Sequence, residues 1–84
     1  MKLRIMTPMK VVFEGEVREI YLPGSIGEFG VLPDHAEMIT ALGTGICRFT
    51  KQDGNLETLT LNQGVCHVFN NEVKVLTESL GAHF

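Results

Sequence analysis

Over most of its length the chain alternates apolar and polar residues with a period of two. That pattern constrains the fold more than any motif does. Leu3 and Ile5 alternate with Lys2 and Arg4, and Ile20 and Leu22 with Glu19 and Tyr21. Leu59 and Leu61 alternate with Thr58 and Thr60, and Val73 and Val75 with Glu72 and Lys74. Successive strand residues point to opposite faces, so each run reads as a half-buried β-strand. Val17 is out of phase with Ile20, which predicts a β-bulge near Arg18-Glu19. Turn residues separate the runs: Glu14-Gly15, Pro23-Gly24, Gly43-Thr44-Gly45, Asp53-Gly54, Asn62-Gln63-Gly64 and Asn70-Asn71. Their spacing of roughly 8–12 residues is the rhythm of an antiparallel sandwich or barrel. The segment His35–Leu42 has the strongest helical character, but β-branched Ile39-Thr40 favours a strand there. The expected fold is all-β, an antiparallel β-sandwich or flattened barrel.

A chain of 84 residues makes one domain, expected over residues 1–78, with 79–84 as a tail. A chain this short buries only about 60% of its unfolded surface and has no volume for a deep active site. The net charge of −3 and singly scattered Lys and Arg residues argue against a nucleic-acid partner. No apolar run approaches the roughly 18 residues of a membrane span, so no direct membrane insertion is expected. The opening MKLRIMTPMK lacks the apolar core of a signal peptide. Two cysteines, Cys47 and Cys66, suit a reducing, intracellular setting.

Catalytic and metal chemistry find little footing. His35, His67, His83, Cys47 and Cys66 show no paired ligand spacing, and adjacent Cys66 and His67 point to opposite faces of a strand. Cys47 shares a face with Phe49 and Cys66 with Val68, so both read as small core residues. An all-β chain offers no helix N-terminus to lower a thiol pKa. The glycines around Glu28 resemble a phosphate cradle only in spacing: no helix or lysine follows, and the carboxylate repels phosphate. The expected catalytic residues, metal ligands and cofactors are therefore none. The stretch GEFGVLPDHAEMITAL, residues 27–42, reads better as a contact surface. Its glycines permit close backbone approach, Phe29, Val31 and Leu32 offer apolar contact, and Glu28, Asp34 and His35 offer a polar rim.

Three segments then resemble a known family. They are Leu3-Arg4-Ile5-Met6-Thr7-Pro8, Phe13–Ile20, and the run Pro23-Gly24-Ser25-Ile26-Gly27-Glu28-Phe29-Gly30-Val31-Leu32-Pro33-Asp34-His35-Ala36. With Leu42, Gly45, Arg48 and Gly64-Val65 they are similar to the epsilon subunit of F-type ATP synthases, over residues 3–77. The resemblance implies a sandwich of about ten short strands and a non-catalytic role in the central stalk. It implies gamma and the membrane rotor-ring (c) subunits as partners. Gly27, Glu28, Phe29 and Gly30 would face the ring, and Leu32, Pro33, His35 and Ala36 would face gamma. It further implies a peripheral position on the cytoplasmic face of a bacterial membrane, reached through the complex. The family usually adds an inhibitory hairpin of two helices, and no helical pattern follows residue 77 here, so the expectation is a link without that arm. The rival reading is a free-standing sandwich that binds a peptide or small ligand through the same patch.

Overall fold

The computed structural model describes residues 1–80. Eight strands follow one another: β1 (Lys2–Met6), β2 (Val11–Gly24), β3 (Gly27–Val31), β4 (Met38–Leu42), β5 (Gly45–Lys51), β6 (Leu56–Leu61), β7 (Gly64–Phe69) and β8 (Glu72–Thr77). The count falls slightly below ten because β2 runs through Glu14-Gly15, where the sequence suggests a turn. Gly15 serves packing instead: it pairs with Leu3, and a Cβ there would sit 3.3 Å from the Phe13 ring. That ring packs on Phe49 at 4.6 Å between centroids.

The bulge falls where the phase slip predicts. Val17 pairs with Lys51 and Glu19 with Thr50, which leaves Arg18 over. The extra residue bends β2 and passes it from one layer to the other. Before the bulge β2 pairs with β1; after it, β2 pairs with β5 on one side and β3 on the other. One layer therefore runs β3–β2–β5–β6 and the other β2–β1–β8–β7–β4. A single pair, Gly24 with Leu42, closes β4 back onto the end of β2. All pairings are antiparallel except that of β1 with β8.

The apolar phase of every strand points between the layers. Leu3, Ile5, Val73 and Val75 from one layer meet Ile20, Leu22, Cys47 and Phe49 from the other, all buried. Turn chemistry fixes the registers. Asn70 and Asn71 take φ of 58° and 61°, the two-residue hairpin geometry that Asn tolerates. At Gly64, φ is 152° and a Cβ would lie 2.0 Å from the Leu76 carbonyl oxygen, so only glycine fits. His35–Leu42 contributes strand β4, and among the described residues there is no helix. Of the expected tail, Leu80 bridges to Leu61 and packs partly on the core. Residues 81–84 lie outside the described residues.

Candidate functional site

The β2–β3 hairpin displays the residues expected to meet partners. Its register runs from Ile20 opposite Val31 to Gly24 opposite Gly27, which leaves Ser25 and Ile26 as the tip. Gly27 takes φ of 147°, which glycine alone adopts without strain. The tip is tied at both shoulders: Ser25 N donates to Ala41 O at 3.1 Å, and Gly43 N to Pro23 O at 2.8 Å. A firmly held backbone thus carries an Ile26 side chain that is fully exposed. Beside it lies an open hollow of about 350 Å³ walled in part by Phe29, Met38 and Thr40.

Glu28 is exposed, as a carboxylate between Gly27 and Phe29 should be, but it is not alone. Its two oxygens accept hydrogen bonds from Arg48 Nη2 at 3.3 Å each. The Arg48 guanidinium lies 4.8 Å from the centroid of the Tyr21 ring. Tyr21 in turn faces Gly30 across the β2–β3 ladder. Neither Tyr21 nor Arg48 is picked out by the sequence as a site residue. The signal is the register that sets Gly30, Tyr21 and Arg48 in one row, and it appears only once the strands are paired.

The residues expected to face gamma form the exit from β3. His35 N donates to Leu32 O at 3.2 Å, and Asp34 takes φ of 66°. Pro33 before a left-handed residue makes a type II turn. Asn71, from the β7–β8 hairpin, clamps it by accepting the Asp34 N–H at 2.9 Å. Leu32, Pro33 and Ala36 are exposed. His35 is half-buried, with Nδ1 2.8 Å from the Ala36 carbonyl oxygen. Glu28 and His35 therefore engage different partners, and an acid–base pair between them finds no support.

The turn leads into β4 and onto a surface that the sequence leaves unassigned. On the outer face of β1–β8–β7–β4, register sets Met6, Leu76, Val65 and Ala41 in one row. Next to it run Arg4, Lys74, His67 and Ile39. Ile39 is 68% exposed, Leu76 44% and Val65 37%. The apolar row crosses roughly 14 Å, three strand spacings of about 4.8 Å. Glu37 Oε2 stands 3.6 Å from His67 Nε2 at its margin.

The thiols offer no nucleophile. Cys47 and Cys66 are buried and unpaired, and burial pushes each pKa up to about 12, the opposite of what activation requires. Among the described residues no group of three or more His, Cys, Asp or Glu side chains is set to hold a metal ion. Nor is there among them a helix long and apolar enough to cross a membrane.

Comparison with known proteins gives this arrangement a family. The beta-sandwich domain of the ATP synthase delta/epsilon chain matches residues 1–82. The ATP synthase epsilon chain of Sulfurimonas denitrificans is 42% identical over 78 residues, 93% of this chain and 60% of the relative. That of Sulfurovum sp. is 46% identical over 68 residues, 81% of this chain and 53% of the relative. The chain thus spans little more than half the length of these relatives. A chain of the Euglena gracilis mitochondrial ATP synthase superposes with a TM-score of 0.87 at 23% identity, covering 94% of this chain and 51% of that one. One of the Tetrahymena thermophila mitochondrial ATP synthase central stalk and c-ring superposes with 0.78 at 14%, covering 95% and 64%. At such identities the superpositions speak for the fold, and the sequence match carries the assignment: the chain belongs to the ATP synthase delta/epsilon family, as its beta-sandwich domain.

Proposed function

We propose that this chain is a non-catalytic part of the central stalk of a proton- or sodium-translocating F-type ATP synthase. It links the gamma subunit to the membrane rotor ring and so helps couple ion flow to ATP synthesis. Gly27, Glu28, Phe29 and Gly30 meet the polar loops of the ring. Leu32, Pro33, His35 and Ala36 meet gamma, with the apolar row Met6–Leu76–Val65–Ala41 as the continuation of that surface. The observation that carries this reading is the fully exposed Ile26 on a hairpin whose backbone is bonded at both shoulders. A rigid support that holds an apolar side chain in water is the anatomy of a docking element. The chain sits at the membrane on the cytoplasmic side of a bacterial cell, held there by its partners.

Co-purification tests this most simply. The tagged chain retains gamma from cells that make the rest of the enzyme. The Leu32→Asp, Ala36→Asp double variant loses gamma while its circular dichroism stays that of a β-sandwich. Retention of a peptide or small ligand with no gamma would instead favour a free-standing binding module.

A further inference from the structure

Arg48 and Glu28 belong to β5 and β3, which flank β2 and so stand about 9.6 Å apart. Arg48 bridges that gap over an aromatic floor. A Cβ on Gly30 would lie 2.6 Å from a Tyr21 ring carbon, so the ring fills the space that this glycine leaves open. The guanidinium lies over the ring and reaches Glu28 from there. Four residues from three strands thereby form one device: Gly30 makes room, Tyr21 paves the row, Arg48 crosses it and Glu28 is held at its end. A guanidinium seated on a ring has lost rotamer freedom before it bonds, so less is lost on forming the contact with Glu28.

We propose that Arg48 positions Glu28, and that a partner meets the two as one polar unit suited to a peptide loop offering a hydrogen-bond donor and an acceptor together. The inference rests on the reading that this end of β3 faces a partner, and it specifies the chemistry of the contact. Glu28 takes up Nη2, which leaves Nε–H and Nη1–H donors on the guanidinium. The carboxylate keeps lone pairs for a second donor. Opposite charges 3.3 Å apart present a dipole, so a lone lysine opposite Glu28 meets repulsion from Arg48 as well. A backbone or carboxamide loop satisfies both halves, with little dependence on salt.

A double-mutant cycle decides it. The whole chain is titrated onto its own ATP synthase depleted of this subunit, with Glu28→Gln, Arg48→Met, both together, Arg48→Lys and Glu28→Lys. Affinity and ions pumped per ATP hydrolysed are measured at low and high salt, and thermal melting confirms the fold of each variant. Glu28→Gln and Arg48→Met are each expected to weaken binding about three- to tenfold. The double variant should be no weaker than the worse single one, and Arg48→Lys should recover only part of the loss, since a point charge does not stack and fork as guanidinium does. Tighter binding by Arg48→Met, or strictly additive losses, would overturn the paired unit while leaving Glu28 as a ring contact. If even Glu28→Lys bound and pumped normally, the placement of this end of β3 against a partner would itself fall.

Discussion

The outer faces of the two layers differ in how they treat the side chains they expose. On β3–β2–β5 the polar groups satisfy one another: Glu28 with Arg48, Arg48 with Tyr21, and Glu19 with the Thr50 hydroxyl at 3.3 Å. On β1–β8–β7–β4 an apolar row stands in water, and Lys74 beside it has no carboxylate within salt-bridge distance among the described residues. Paired polar groups discriminate partners by geometry but give modest affinity, whereas apolar burial supplies the affinity. One small sandwich therefore carries two unlike outer faces on one core. That suits a subunit whose proposed work is to join two different neighbours.

The largest expected effect removes the distinction altogether, because both faces hang on the same core. Phe49 is buried and packs against the tilted Phe13 ring. Phe49→Ala should cost about 3–5 kcal/mol, a large share of what so small a domain has. Denaturant titration should show one cooperative transition at a much lower midpoint. Separate melting of the two layers would contradict a single shared core.

The next effect separates the faces. Val65→Thr with Leu76→Thr keeps strand-compatible residues on β7 and β8 but makes the centre of the apolar row polar. Binding of gamma should weaken by about 1.5–3 kcal/mol, while the melting temperature and the effect of salt on ring coupling stay as they were. Asn71→Gly acts between the faces. Glycine accepts the positive φ, so the hairpin survives, but the clamp on Asp34 N is lost. Stability should fall by about 1 kcal/mol. Gamma binding should fall with it, read by calorimetry, because the Leu32–His35 turn loosens.

The last effect is absent at neutral pH and appears only in alkali. Cys47 lies on β5 and Cys66 on β7, one in each layer, and both thiols are held up to about 12. In the unfolded chain they titrate near 9. The contribution is therefore complete below about 9 and is lost as pH rises from there towards 12, since the unfolded state sheds protons that the folded state keeps. Cys47→Val with Cys66→Val should flatten alkaline denaturation over that window. A thiol reagent at neutral pH should label both cysteines only as the domain unfolds.

Much of the fold is legible in the sequence because most strands keep a period of two between a wet and a buried face. The Val17–Ile20 phase slip locates the bulge, and Asn70-Asn71 locates a hairpin. Gly15 misleads, because a glycine that yields space to a ring looks like one that makes a turn. For the candidate site, the displayed loop is legible from its glycines, apolar residues and Pro33. The partners of its side chains are not. Tyr21, Arg48 and Asn71 meet Gly30, Glu28 and Asp34 across strands or between hairpins, and local pattern carries no information about such register. The apolar row is hidden for the same reason: Met6, Ala41, Val65 and Leu76 each look like an ordinary exposed strand residue until four strands align them.

Ions pumped per ATP hydrolysed, measured in vesicles with and without this chain, test whether it couples, as proposed, without catalysing. The depleted enzyme should hydrolyse ATP with little pumping, and adding the chain should restore pumping without a comparable rise in hydrolysis. Full pumping by the depleted enzyme, or an ATPase activity carried by the chain alone, would contradict that role.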